Sequence, residues 1–339
     1  MLGCNRRAVL LLGALLAVLS PFLVAPPAAQ AAAPSYVALG DSYSSGTGTR
    51  TYLADGTSCQ RSPQAYPALI AAAQGYALNF RACSGASIPD VTATRLSALS
   101  AETAYVTISV GGNDAGFAAV LTECAKPGWL SRCDRAIDNA QAFITTTLPA
   151  RLDGLYADIR ARAPYARVVV AGYPRIFNGE DCNALTWFSP AEESRLNQTA
   201  DLLNARLASA AAARGFSFGD PTSRFVGHAV CDDAEWINGL SYPVSESYHP
   251  KATGHAGGYT PTVGPLLTGT LVAVGARVRA AAADGAGQQA ALQRQYAAAD
   301  RSIEPESFVA PDLRTPEARR AARRAGIDLD RFIARSRNR

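Results

Sequence analysis

Short β-rich runs alternate with longer helical segments along most of this 339-residue chain. The runs are Tyr36-Val37-Ala38-Leu39, Ala77-Leu78-Asn79-Phe80, Tyr105 to Val110 and Arg167 to Ala171, with Phe216-Ser217-Phe218 a weaker fifth. Between them lie stretches of helical character, Pro149 to Arg162 and Pro190 to Ala213 among them. The second carries a start signal. Ser189 can cap, Pro190 suits the first helical position, Glu192 completes a capping box, and Gly215 supplies a stop. Alternation at this spacing predicts an α/β domain: a parallel sheet with helices on both faces. Val168-Val169-Val170 shows no polar alternation, as expected of a strand covered on both sides. In such sheets ligands bind outside the carboxyl ends of the strands, so the residues that follow each run carry the functional information.

The two ends of the chain read differently from its body. Residues 1–33 have the parts of an export signal: Arg6 and Arg7, an apolar run from Ala8 to Val24, and Ala29-Gln30-Ala31, with cleavage expected after Ala31 or Ala33. Pro21, Pro26 and Pro27 argue against an uncleaved membrane anchor. The paired arginines also fit a twin-arginine route. A secreted chain would lose Cys4 and keep six cysteines, an even number that suggests three disulfides among 15 connectivities. Pairing sequence neighbours gives Cys59–Cys83, Cys124–Cys133 and Cys182–Cys231. No C-x-x-C occurs and only three histidines exist, so neither a metal site nor any other cofactor is expected.

The chain carries a net charge of +4, of which the leader holds two charges and the segment after Ala282 three, leaving the body at −1. A nearly neutral body excludes a nucleic-acid binder. Residues 34–282, roughly 250, suffice for one sizeable core. Residues 283–339 are rich in Ala, Arg and Gln, interrupted by Pro305, Pro311 and Pro316, with a helix starting at Thr315-Pro316-Glu317. They read as a solvated helical or partly disordered tail. The sharper alternative is a basic helix that makes weak contact with an anionic envelope surface.

Four blocks carry chemistry. The first run leads into Gly40-Asp41-Ser42-Tyr43-Ser44-Ser45-Gly46, which puts the Ser42 hydroxyl at the mouth of the sheet beside free backbone N–H groups. Taken alone it also reads as an ordinary Ser/Gly turn. The second leads into Cys83-Ser84-Gly85-Ala86, where the Gly85 N–H can approach a ligand. The third leads into Gly111-Gly112-Asn113-Asp114. Asn113 offers a neutral amide donor for a developing oxyanion, with Asp114 free to cap. The last is Glu246-Ser247-Tyr248-His249-Pro250. Pro250 holds His249 in an extended loop, from which its ring can reach a serine. His228 reads as structural, and His255 as a weaker candidate base.

In that order, the Gly-Asp-Ser, Gly, Gly-x-Asn and His-Pro blocks resemble the SGNH/GDSL hydrolase family, in particular its secreted actinobacterial lipases and esterases. The resemblance covers most of residues 35–282. It implies a flavodoxin-like three-layer α/β/α sandwich, with Ser42 as nucleophile, His249 as base and Ser42, Gly85 and Asn113 as oxyanion donors. It also favours the neighbour pattern of disulfides. The family's usual third member is an Asp three residues before the His; here that position is Glu246, with a main-chain carbonyl as the alternative. The implied activity is secreted serine carboxylic-ester hydrolysis on an ester or lipid substrate; a monomer is expected, though nothing in the sequence sets the oligomeric state. Phospholipase, carbohydrate deacetylase or acyltransferase activity uses the same residues, and a non-catalytic envelope-binding protein is the remaining alternative.

Overall fold

The computed structural model describes residues 32–304 and 307–336. The expected leader falls on residues 1–33, all but the last two of which lie outside the described residues. Five strands form one parallel sheet: β1 (Ser35–Gly40), β2 (Ala77–Phe80), β3 (Tyr105–Ser109), β4 (Arg167–Ala171) and β5 (Ser217–Gly219). Their order is β2-β1-β3-β4-β5, the doubly wound order in which the chain leaves β1 in one direction and resumes at β3 in the other. All five lie where the β-rich runs predict them. Val168, Val169 and Val170 are buried, as their unbroken apolar pattern requires.

Short helix α1 (Ser42–Ser45) follows β1, and α2 (Tyr66–Gln74) leads to β2. Helices α3 (Ile88–Thr94), α4 (Phe117–Cys124), α5 (Cys133–Thr146) and α6 (Leu148–Arg162) fill the crossovers up to β4. Then α7 (Pro190–Ala213) leads to β5. It begins at the capping box Ser189–Glu192. After β5, α8 (Ala252–Gly254) runs through one π turn, His255–Tyr259, into α9 (Thr260–Thr268). Helices α2 and α9 pack together on the sheet, while α7 packs with α5 and α6 against β4 and β5, giving three layers. Disulfides join Cys59 to Cys83, Cys124 to Cys133 and Cys182 to Cys231.

The segment after Ala282 does not behave as a solvated tail. Helices α10 (Ala276–Asp284), α11 (Ala286–Arg294), α12 (Ala297–Asp300), α13 (Pro316–Arg324) and α14 (Leu329–Ser336) follow in turn. Helix α10 packs on α2, and α11 lies along edge strand β2. There the Gln289 side-chain amide donates to the Leu78 carbonyl at 2.9 Å, which satisfies a polar group an edge strand leaves open. Ala282, Ala290, Ala297, Ile303, Phe308 and Leu313 are buried. The reason is compositional: alanines make a thin apolar face that fits closely against the body, and a few large residues then pin it.

Candidate active site

Strand β1 delivers Ser42 to the carboxyl edge of the sheet, at the point between β1 and β3 where the strand order reverses. Gly40 makes this turn feasible. Its φ is +119°, and a Cβ there would lie 2.4 Å from the Ser109 carbonyl oxygen of the neighbouring strand. Asp41 caps α1, accepting from the Tyr43 N–H at 3.0 Å. The Ser42 N–H, in the first helical position, has no intrahelical acceptor.

His249 arrives from the loop before α8. Its Nε2 lies 2.8 Å from Ser42 Oγ, and both residues are buried. Its Nδ1 lies 2.9 Å from the Ser247 carbonyl oxygen. A carbonyl only accepts, so Nδ1 carries the proton and the unprotonated Nε2 faces the serine hydroxyl. Burial pulls the His249 pKa down to about 4, against a smaller opposing effect of the Ser247 carbonyl, so the ring is neutral at pH 7.

Glu246 does not orient this ring. Its carboxylate is buried facing the other way, accepting from the Tyr52 hydroxyl at 2.6 Å and lying 3.5 Å from Arg50 Nε. The backbone gives the reason: Val244–Glu246 forms a 3₁₀ turn, and the His249 N–H bonds the Glu246 carbonyl. The segment between them curls, and Ser247, not Glu246, presents its carbonyl to Nδ1.

The remaining blocks follow β2 and β3, the two strands that flank β1. Gly85 sits in a turn at φ +84°, and its N–H meets no acceptor among the described residues. The Asn113 side-chain amide donates to the Ala86 carbonyl at 3.0 Å, which ties the loop after β3 to the loop after β2 and leaves its second N–H available. Asp114 accepts from the Ile88 N–H at 3.0 Å, so it serves the start of α3. His255 is buried and structural; its Nδ1 accepts from the Tyr66 N–H at 3.3 Å. His228 stacks on Trp236 with ring centroids 3.7 Å apart, as a structural histidine would.

Several residues around the site have no role that the motifs alone assign. Asp41 accepts hydrogen bonds from Ser109 Oγ at 2.6 Å and from the Tyr173 hydroxyl, besides the Tyr43 N–H. Burial pushes its pKa up to about 6 and these hydrogen bonds oppose the rise. The network joins the Ser42 block to the end of β3 and to the loop after β4. The Tyr43 hydroxyl donates to the Tyr248 carbonyl at 2.8 Å and so ties the serine helix to the histidine loop. The N-cap pattern Asp41-Ser42 was a usable signal for the first. The tyrosines had none, because their partners lie far away in the chain. Tyr43 and Phe117 ring His249 at centroid distances of 5.4 and 6.2 Å. Both also line an apolar groove, walled further by Gly112, Val120, Tyr173 and Leu196.

A serine hydroxyl paired with a neutral, buried imidazole at the carboxyl edge of a parallel sheet is an arrangement suited to nucleophilic catalysis. The chain belongs to the GDSL-like Lipase/Acylhydrolase family, whose pattern matches residues 38–256, and it is a carboxylic ester hydrolase of that family. It is 44% identical over 250 residues to Lipase 1 of Streptomyces coelicolor, covering 73% of this chain and 92% of that one. It is 45% identical over 263 residues to a lipase of Streptomyces rimosus, covering 77% and 96%. Among solved structures, the extracellular lipase of Streptomyces rimosus superposes with a TM-score of 0.65 at 46% identity, covering 68% of this chain and 98% of that one. Phospholipase A1 of Streptomyces albidoflavus superposes with a TM-score of 0.65 at 43% identity, with the same coverages.

Proposed function

We propose that this protein is a secreted lipase or esterase that hydrolyses esters of apolar acyl chains through an acyl-enzyme on Ser42. The observation that carries the reading is the 2.8 Å contact between His249 Nε2 and Ser42 Oγ next to an apolar groove. His249 takes the Ser42 proton as the oxygen attacks the ester carbonyl. The N–H groups of Ser42 and Gly85 and the Asn113 amide hold the oxyanion. His249 then protonates the leaving alcohol. Water enters, gives its proton to His249 and releases the acid, and the proton returns to Ser42. The Ser247 carbonyl keeps the imidazole in the required tautomer throughout.

The groove favours an acyl chain over a carbohydrate acetate, since its walls are almost wholly apolar. A glycerophospholipid is included as a substrate because the similar Streptomyces albidoflavus enzyme is a phospholipase A1. Residues 1–33 serve as the export leader. The three disulfides, and the absence among the described residues of a helix long and apolar enough to cross a membrane, support export of the mature chain. The mature enzyme acts as a monomer, and the exposed arginines of α13 make at most weak contact with an anionic envelope surface.

One set of variants tests the roles. Ser42→Ala should abolish hydrolysis of p-nitrophenyl esters and labelling by a fluorophosphonate. His249→Ala should lose about 10²–10⁴ in kcat, the range of general-base help. Glu246→Ala should stay far closer to wild type than His249→Ala. Wild-type turnover by the Ser42 variant would remove the serine from its role, and equal losses in the last two would remove the Ser247 carbonyl from its own.

A further inference from the structure

The family match ends at residue 256, yet a residue beyond it is joined through Arg61 to the loop that carries Gly85. Asp300, at the end of α12, is fully buried against three buried arginines. Arg95 Nη1 donates to its Oδ1 at 2.6 Å and Arg81 Nη2 to the same oxygen at 3.2 Å, while Arg61 Nη2 meets its Oδ2. Burial alone would raise the Asp300 pKa, but Arg61, Arg81 and Arg95 together hold it below the usual carboxylate range. The acid is therefore ionised, and it balances cations that would otherwise stand against one another.

Each arginine belongs to a different piece of the frame around Gly85. Arg81 starts the loop 81–86 itself. Arg61 donates from Nε to the Ala82 carbonyl at 2.9 Å, within that loop. Arg95 follows α3, the helix into which the loop runs. The other restraints on the loop are the Asn113 amide on the Ala86 carbonyl, the Cys83 N–H to the Gly40 carbonyl, the Ser84 N–H to the Cys59 carbonyl, and the Cys59–Cys83 disulfide. Neighbours of Asp300 reinforce the same contact. Gln293 accepts from Arg81 Nη1 at 3.2 Å, and the Tyr296 ring lies 3.7 Å beneath the Arg81 guanidinium. Among the described residues, Arg81 and Arg95 meet no carboxylate except that of Asp300, whereas Arg61 is shared with Asp55 at 2.6 Å.

We propose that Asp300 is a positioning residue for ester hydrolysis: by bridging Arg61, Arg81 and Arg95 it fixes the loop that aims the Gly85 N–H at the oxyanion. This rests on the reading of Gly85 and Asn113 as oxyanion donors. The C-terminal segment is then part of the catalytic machinery, acting through the loop it braces. A loose donor weakens transition-state binding and leaves ground-state binding of the acyl chain alone, so the effect falls on kcat.

The test compares Asp300→Asn, the charge-balanced double variant Arg95→Met/Asp300→Asn, and Asn113→Ala in the full secreted chain. Kinetics on a p-nitrophenyl ester are normalised to the folded, titratable enzyme. Asp300→Asn should lower kcat on the order of tenfold, less than the about 10²–10³ for outright loss of a donor. KM should stay within about twofold, and the acid limb of the pH profile should not move, because His249 is untouched. Labelling of Ser42 by a fluorophosphonate should slow by the same factor as kcat. If Asp300→Asn fails to fold because the arginine charge is uncompensated, the double variant decides, with the same expected result. A kcat within twofold of wild type, or a loss confined to KM, overturns the proposal. An unchanged kcat in Asn113→Ala instead overturns the oxyanion reading itself, which separates the two failures.

Discussion

At the residue scale, the site depends on placing a neutral imidazole where no carboxylate is at hand. His249 gets its orientation from the Ser247 carbonyl and its neutrality from burial. The consequence for pH follows from the sign of the shift. With its pKa pulled down to about 4, His249 is an unprotonated base at all pH values above that, and it loses this role as pH falls through about 4. The kcat/KM of the free enzyme should therefore stay level from about pH 8 down to about pH 5 and fall below it, an acid limb well beneath the ordinary histidine value of about 6.5. A pH–rate profile on a soluble ester checks this, and a midpoint near 6.5 would show that the ring is solvated in the working enzyme. Stability runs the same way. Buried neutral His249 and His255 both have depressed pKa values, so their contribution is complete above about 6.5 and is lost as pH falls toward about 4 for His249 and about 3 for His255.

At the element scale, the groove proposed to hold the acyl chain is walled by helices that carry no catalytic group. Helix α4 supplies Phe117, Val120 and Leu121 to the apolar groove, and α7 supplies Leu196, Ala200 and Leu203 from the opposite side. The two helices are far apart in sequence, and no motif marks the residues they turn toward the groove. Ala200 is the small residue of the α7 wall. Ala200→Trp should fill the groove, cutting kcat/KM for a long-chain p-nitrophenyl ester by at least about tenfold while sparing the acetate, since each buried methylene is worth about 0.8 kcal/mol. A panel of esters graded by chain length checks it. An equal loss on all lengths would mean that the acyl chain lies elsewhere.

At the scale of the whole molecule, three disulfides and the docked C-terminal segment divide the fastening of the fold. Cys59–Cys83 binds the loop before α2 to the loop after β2. Cys182–Cys231, with a sequence separation of 49, closes the longest loop, against 9 for Cys124–Cys133. Loop-closure entropy then predicts about 4 kcal/mol for the former and about 3 kcal/mol for the latter. Replacing each pair by serines and measuring denaturant midpoints should give the larger drop for Cys182/Cys231. The reverse order would show that native-state packing around the short loop outweighs chain entropy.

Much of this protein was readable before any fold was known, for physical reasons. A parallel strand covered on both faces needs an unbroken apolar run, and a helix start needs local caps, so the five strands and α7 announce themselves in Val168-Val169-Val170 and Ser189-Pro190-Ala191-Glu192. The Ser42–His249 contact was legible because each residue stands beside a local signal, a strand end or a proline, and the places of Gly85 and Asn113 after strands were legible in the same way. What orients His249 was not legible. Choosing between the Glu246 carboxylate and the Ser247 carbonyl depends on how three residues of backbone curl, and that is set by packing around Tyr52 and Asn238. Nor was the docking of the C-terminal segment legible. Its alanines look like those of a solvated helix, and Asp300 differs from any surface acid only because Arg61, Arg81 and Arg95 wait for it more than 200 residues earlier in the chain. Local chemistry determined the elements and the reacting groups; long-range packing alone decided which carbonyl, which carboxylate and which groove serve them.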